Sequence, residues 1–361
     1  MPASLESGLR PVAAPHATQA GLWRGLICRL PKPLLVVPMV VQWLLLALRY
    51  GSLSLPSAAD PAITIGGLVG ESKMEYFNQI NPALRRWLAR TTAIASGKSA
   101  RDEALEAMER HDLCFPLIAK PDIGWCGFGV RRIDDDAALE DYLAAYPAGE
   151  TLLLQEYLDL PGEAGLFYVR WPNQPRGRIV SLTVRQPPQV VGDGSSTVRS
   201  LLERVERLSG RSGFYENLDR IPQSGESATL STVWSHRMGG LYRNASHAIT
   251  PALDKIVDAI ACSMPNLHVA RFDVRFAHLA GLGAGDFRII EINGAGSEAI
   301  EFFDPDVPFF AAYRGILGKQ AMVFAIAAQN RSLGFAPCGW RALARAFRRQ
   351  GRLIDTYPGS N

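Results

Sequence analysis

Two stretches near the C-terminal end carry side chains whose types and spacing suit the binding of a metal ion and phosphate. One reads Val269-Ala270-Arg271-Phe272-Asp273-Val274-Arg275-Phe276, the other Phe287-Arg288-Ile289-Ile290-Glu291-Ile292-Asn293-Gly294. Successive side chains of a strand point to opposite faces. Arg271, Asp273 and Arg275 therefore share one face, and Phe272, Val274 and Phe276 the other. Glu291 and Asn293 likewise face away from Ile290 and Ile292. The intervening Gly281-Leu282-Gly283-Ala284-Gly285-Asp286 predicts a glycine-rich hairpin turn. Paired antiparallel, the two polar faces meet, and Asp273, Glu291 and the Asn293 amide oxygen converge beside Arg271. Hard oxygen donors of this kind suit Mg²⁺, which keeps some waters and shares its other positions with phosphate oxygens. The alternative is an ordinary half-exposed hairpin with a surface ion pair.

A second set reads Ala119-Lys120-Pro121-Asp122-Ile123-Gly124-Trp125-Cys126-Gly127-Phe128-Gly129-Val130. A lysine ends a short strand, and Gly124, Gly127 and Gly129 follow. No Gly-Lys-Ser/Thr closes the run, and the spacing is not that of a dinucleotide fingerprint. Glycines still let the backbone approach a phosphate and turn its N–H groups toward it. A plain turn between strands is the alternative. Third comes Leu154-Gln155-Glu156-Tyr157-Leu158-Asp159-Leu160-Pro161-Gly162-Glu163, read as an apolar strand running into a polar surface loop with spaced carboxylates.

Several classes of function are excluded by composition. The net charge of +3 over 361 residues is too small to argue for nucleic acid, and 47% hydrophobic content supplies an ample core. Cys28, Cys114, Cys126, Cys262 and Cys338 are odd in number, scattered, and without a CxxC pair. That favours a reducing compartment over a zinc site or a disulfide framework. His111, His236, His247 and His268 form no recognisable triad, and Cys126 is given no catalytic role. Arg237, beside Gly239-Gly240, is read equally as a phosphate contact or a surface arginine.

The elements that must position these groups are mixed. Helices are expected over Leu105 to Leu113, Ala137 to Tyr146 behind Asp134-Asp135-Asp136, Val198 to Leu208, and from Thr250-Pro251 to Met264. Strands are expected at 116–120, 151–157, 167–171 and 179–185, with a tight turn at Gly192-Asp193-Gly194. Strands and helices that do not strictly alternate argue for α+β with largely antiparallel sheets. From Pro33 to Leu48 the chain carries no charge, Lys32 and Arg49 flank the run, and Pro38 interrupts it. The run is shorter than the ~20 residues a spanning helix needs. It is read as a helix on a membrane surface, with a buried element and a signal peptide as alternatives. Near the C-terminus, Trp340, Leu343, Ala344 and Phe347 recur at helical spacing among Arg341, Arg345, Arg348, Arg349 and Arg352, a basic amphipathic helix.

In this order, lysine and glycine loop, strand–Glu–loop–Glu, Arg-x-Asp and Glu-x-Asn, the chain from about Lys73 to Pro308 resembles the ATP-grasp superfamily. The stretch Arg185-Gln186-Pro187-Pro188-Gln189-Val190-Val191-Gly192-Asp193-Gly194, with Ser196-Thr197-Val198-Arg199, is similar to the ATP-grasp domain of cyanophycin synthetases. Arg-x-Asp and Glu-x-Asn are shared with D-alanine–D-alanine ligases too. Those ligases carry a full domain ahead of the first ATP lysine. This chain has a short apolar segment there instead, so acceptor-substrate residues do not carry over.

The resemblance implies an ATP-grasp fold of two α+β subdomains clasping ATP. It implies an apolar segment at 1–60, a smaller subdomain with the glycine loop within 61–155, a larger one with the metal site at 156–330, and a basic tail at 331–361. It makes Lys120 a contact to the α- and β-phosphates of ATP, the earlier Lys73 another ATP contact, and Gly124, Gly127 and Gly129 the loop over the phosphates. Glu156 and Tyr157 become the hinge that reads adenine, and Glu163 the ribose ligand. Asp273, Glu291 and Asn293 become ligands of two Mg²⁺ ions, with Mn²⁺ able to substitute. Arg271 stabilises a tetrahedral intermediate, and with Lys120 is catalytic. The implied activity is an ADP-forming ligase joining a small-molecule carboxylate to an amine through an acyl phosphate. Phosphoryl transfer and non-catalytic nucleotide binding at a membrane are the alternatives. A cytoplasmic location, peripheral on the inner membrane face, is expected, with no nucleic-acid partner and with oligomers open.

Overall fold

The computed structural model describes residues 32–361. Residues 1–31 of the expected 1–60 segment, Cys28 among them, lie outside the described residues. The described chain opens with helix α1 (Lys32–Tyr50) and the short α2 (Lys73–Gln79). Ser72 caps α2 by accepting from Glu75 N. A smaller unit follows: β1 (Thr91–Ala95), α3 (Ala100–Arg110), β2 (Leu117–Pro121), β3 (Arg131–Ile133), α4 (Asp136–Ala145) and β4 (Thr151–Glu156). Its sheet has the order β1-β4-β2-β3 and is antiparallel throughout. Asp135 caps α4 by accepting from Ala138 N.

The larger unit contains β5 (Gly162–Val169), β6 (Arg178–Gln186), β7 (Gln189–Val191), α5 (Val198–Glu203), β8 (Ser227–Thr229), β9 (Leu241–Asn244), α6 (Pro251–Ser263), β10 (Val269–Phe276), α7 (Leu279–Ala284) and β11 (Arg288–Asn293). Its sheet runs β11-β10-β5-β6-β9, again antiparallel, and β7 and β8 form a separate ribbon. Helices α8 (Phe309–Ser332) and α9 (Trp340–Ile354) close the chain. The architecture is α+β, with two antiparallel sheets, which is the arrangement the ATP-grasp resemblance implies.

Both faces of the larger sheet are covered. Leu166, Tyr168, Phe272 and Val274 pack against Leu253, Val257 and Ile260 of α6. Phe167, Val169 and Val269 pack on the other side against Val323 and Phe324 of α8. Burial on both faces is why β5 reads as an apolar run without clean alternation. It also corrects one expectation. Gly162 and Glu163 do not lie in a surface loop; they begin this central strand, and Glu163 is buried.

One further expectation is corrected by packing. The glycine-rich stretch between the two functional strands is not a tight turn, because α7 occupies it. His278 caps that helix by accepting from Gly281 N, and Gly285, at φ +93°, ends it. The basic C-terminal segment forms the expected helix, with Trp340 and Phe347 60% and 59% exposed and Leu353 buried. No helix among the described residues is long and apolar enough to cross a membrane.

The loop before α2 is fixed to the end of β11 by a close backbone approach. A Cβ on Gly294 would lie 2.6 Å from Gly67 Cα, so neither position accommodates a side chain without movement. Fully buried Asp60 ties the same region. It accepts from His268 N at 2.7 Å, Val269 N at 3.0 Å and Ala295 N at 3.2 Å. Burial pushes its pKa up to about 7, against the three amide hydrogen bonds that favour the charged form.

Candidate active site

Strands β10 and β11 pair with Asp273 opposite Glu291 and Arg271 opposite Asn293, with a bulge after Asp273. The two polar faces foreseen from alternation thus meet. Asp273 is held firmly there. Arg271 donates through Nε to Oδ1 at 2.8 Å and through Nη2 to Oδ2 at 3.1 Å. Arg185 Nη2 lies 2.8 Å from Oδ1. Asn293 Nδ2 donates to Oδ2 at 3.3 Å. Burial alone raises the Asp273 pKa, but Arg185 and Arg271 outweigh it, and the carboxyl sits below its usual value.

Charges alternate onward from Asp273. Arg185 also donates to Glu163 Oε1 at 2.7 Å, and Arg275 Nη2 lies 2.9 Å from Glu163 Oε2. The row Arg271–Asp273–Arg185–Glu163–Arg275 crosses β10, β6 and β5. The exposure of these side chains runs from 1% to 15%. Buried charges of this kind persist only when each is paired, and removal of one member strands its neighbours.

The smaller unit meets the larger at the edge strand β11. Lys120 Nζ, at the end of β2, donates to Ile290 O at 2.7 Å and to Gln155 Oε1 at 2.9 Å. Gln155 Nε2 donates to the same carbonyl at 3.1 Å and to Thr91 Oγ1 at 2.8 Å. Lys73 Nζ donates to Asp122 O at 3.2 Å and lies 3.6 Å from Glu291 Oε1. A Cβ on Gly124 would come within 2.9 Å of that ammonium, so the glycine permits the approach. Lys73, Lys120, Glu291 and the start of the glycine loop therefore share one place.

Burial pushes the Lys120 pKa down to about 8, with Glu291 pulling the other way. Below about 8 the side chain is the cation that a phosphate requires; above it, the charge is lost unless a ligand restores it. A phosphate ligand held by Lys120 would bind more weakly, by up to about tenfold per pH unit above pH 8. Titration calorimetry from pH 7 to 9.5 checks this, and in Lys120→Arg the decline should vanish.

Gly127 and Gly129 adopt φ of +74° and +71°, and the loop around them is held by the far end of the chain. Gln350 Nε2 donates to Gly124 O at 3.0 Å, Tyr357 OH to Ile123 O at 2.6 Å, and Ser360 Oγ to Gly127 O at 2.7 Å. Arg237 Nη2 donates to Gly127 O at 3.1 Å, and its guanidinium lies 4.1 Å from the Phe128 ring centre. The Glu156 carboxylate accepts from Arg90 N and Arg90 Nε, both at 2.8 Å. The Tyr157 ring lies 4.5 Å from the Arg132 guanidinium.

Sequence reasoning missed Arg185, Gln155 and the tail contacts. Arg275 was legible as a member of the charged face of β10, though not its bond to Glu163. Arg185 is marked locally only as the start of the 185–194 stretch, and its ion pairs with Glu163 and Asp273 come from other strands.

The donor set fits a hard cation only in part. Glu291 is 29% exposed and, with Asn293 two residues on, presents oxygen donors. Asp273 does not fit as held, because a carboxylate has about four acceptor positions and arginines and an amide fill them. Among the described residues, no three of His, Cys, Asp and Glu come together as a metal cluster.

No family model and no curated protein matches the chain. Solved structures do align, at low identity. The bifunctional glutathione synthetase from Pasteurella multocida aligns at 14% identity and TM-score 0.36, over 70% of this chain and 36% of that one. The VanG D-Ala:D-Ser ligase from Enterococcus faecalis aligns at 14% and 0.38, over 69% and 61%. The D-alanine–D-alanine ligase from Bacillus anthracis aligns at 11% and 0.40, over 72% and 68%. The chain thus spans about a third of the first of these proteins and three fifths of the second.

Proposed function

We propose that this chain is an ATP-grasp enzyme that uses ATP to join a carboxylate to an amine, releasing ADP and phosphate. The observation that carries the reading is the meeting of the two units at β11. Lys120 reaches the Ile290 carbonyl, and Lys73 lies 3.6 Å from Glu291. Lys120 from the smaller unit and Lys73 from α2, which packs on the larger one, thereby face the carboxylate edge of β11, as a triphosphate bound there needs.

In this reading Lys120 and Lys73 hold phosphate oxygens, and N–H groups of the Gly124–Gly127–Gly129 loop close over them. Glu156 and Tyr157 border the base. Glu163 reaches the ribose hydroxyls only by exchanging one of its arginine partners. Glu291 and Asn293 would hold magnesium, with Asp273 joining once Arg185 turns away. When bound, that metal supplies charge neutralisation at the transferring phosphoryl group. Arg271 would donate to the oxyanion that forms when an amine attacks an acyl group, on giving up its bond to Glu298 O. Closure of the loop keeps water from an acyl phosphate.

The test is ADP and phosphate release from Mg²⁺-ATP across pools of amino acids, short peptides and other carboxylates, with mass spectrometry of products. Release that requires both a carboxylate and an amine is expected. A phosphorylated product formed without amine would replace ligation by phosphoryl transfer. The occupied acceptors of Asp273 favour one second reading, nucleotide binding without turnover. ATP binding by calorimetry with no ADP from any pool would establish it.

A further inference from the structure

Helix α1 is apolar on every side, yet only one side is covered. It runs parallel to α8, with Met39 near Ile316 and Trp43 edge-on to Phe324 at 5.0 Å between ring centres. Gln42 Nε2 donates to Leu317 O, and Arg331 Nη1 donates to Tyr50 O. The opposite side presents Val37, Val41, Leu44, Leu45 and Leu48 to solvent, with Leu48 81% exposed. A helix hydrophobic all round belongs in an apolar surrounding on all sides. Exposed contiguous apolar surface of this extent marks an interaction site.

The neighbouring elements state what kind of surrounding. The segment before α9 is tied to the segment after α1: Ser54 Oγ donates to Cys338 O, and Cys338 N donates to Ser57 Oγ. The half-exposed Leu53, with Leu333 and Trp340, continues the apolar surface beyond the C-terminal end of α1. Next to it, Arg345, Arg348, Arg349 and Arg352 line a cleft of about 610 Å³ whose other wall includes Ile65, Gly70 and Ile123. Arg349 pairs with Glu150 at 3.1 Å, and no acidic side chain among the described residues forms an ion pair with the other three. The two segments that build this face, 32–59 and 307–354, contain no Asp or Glu and ten Lys or Arg.

We infer that this face docks on an anionic lipid bilayer, with α1 immersed in the interface and lipid phosphates in the arginine cleft. An apolar helix beside a run of cations free of acids complements such a surface on both counts. A second copy would set the same cations against one another. The first 31 residues, with Arg10, Arg24 and Arg29 against Glu6, are also net basic and complement the cleft poorly. The inference stands apart from the ligase reading, since none of these residues is assigned to ATP.

Flotation of the full chain with vesicles tests it, using phosphatidylcholine alone and phosphatidylcholine mixed with phosphatidylglycerol. Binding to the mixed vesicles, weakened by salt, is expected. Arg345→Ala with Arg348→Ala should lower that affinity roughly 30-fold. Leu44→Ser with Leu48→Ser should lower it at least about tenfold at any salt concentration. All four positions are exposed, so the variants should melt like the parent. Three results would overturn the inference. One is no flotation by folded protein at either composition. Another is equal binding to both vesicle types with the arginine variant unaffected. The third is a dimer in vesicle-free solution that Leu44→Ser with Leu48→Ser dissolves, which would assign the face to a second copy.

Discussion

Glu291→Gln is expected to reduce ATP turnover by on the order of a hundredfold or more, while leaving the melting temperature close to that of the parent. The substitution preserves size and one carbonyl oxygen but removes the negative charge. Glu291 is part-exposed, 3.6 Å from Lys73, and forms no ion pair with Arg185 or Arg271. The charge contributes little to the fold, so a large functional loss reports on the site alone. Asp273→Asn is a poorer probe, because it strands Arg271 and Arg185 in a buried position and lowers stability together with activity. ADP release and circular-dichroism melts separate the two effects. Undiminished turnover in Glu291→Gln would remove the carboxylate edge of β11 from the mechanism and, with it, the ligase reading.

Asp60→Ala is expected to destabilise the chain by about 3 kcal/mol or more. Three buried N–H groups, of His268, Val269 and Ala295, lose their acceptor, and each orphaned group costs about 1–3 kcal/mol. Asp60→Asn, which keeps one acceptor oxygen, should lose less. Urea unfolding at pH 7 measures both. Because the folded-state pKa is raised to about 7 by burial, the sign of the pH dependence is fixed. The contribution of Asp60 is most favourable below the unfolded value near 3.8 and declines as pH rises through about 7. Asp60→Asn should flatten that part of the stability profile. A variant Asp60→Ala that unfolds at the parent's urea concentration would show that water or a shifted backbone satisfies the amides.

The chemistry of β10 and β11 was legible because strand alternation is a local rule. Arg271, Asp273, Glu291 and Asn293 were placed on facing surfaces from spacing alone, and the register brings them together. Caps were legible for the same reason: Asp135 and Thr250 sit directly before the residues whose N–H groups they accept. The connection between the strands was misread because glycine content signals a turn, whereas His278 capping and docking of α7 against α6 select a helix. Glu163 was misread as a loop carboxylate because its burial depends on strands on either side of β5.

By itself the sequence determined the two charged strands β10 and β11, which face their side chains take, and that a lysine, a glycine loop and two acidic strands occur in order. These follow from rules reaching no further than a few residues. Only the tertiary structure decided what those side chains meet. Arg185 closes over Asp273 across two strands, Lys120 lands on the Ile290 carbonyl, and the last residues of the chain hold the glycine loop. It also decided that α1 covers one apolar side and leaves the other to solvent. Such pairings join residues up to 284 positions apart, a separation over which no local pattern carries information.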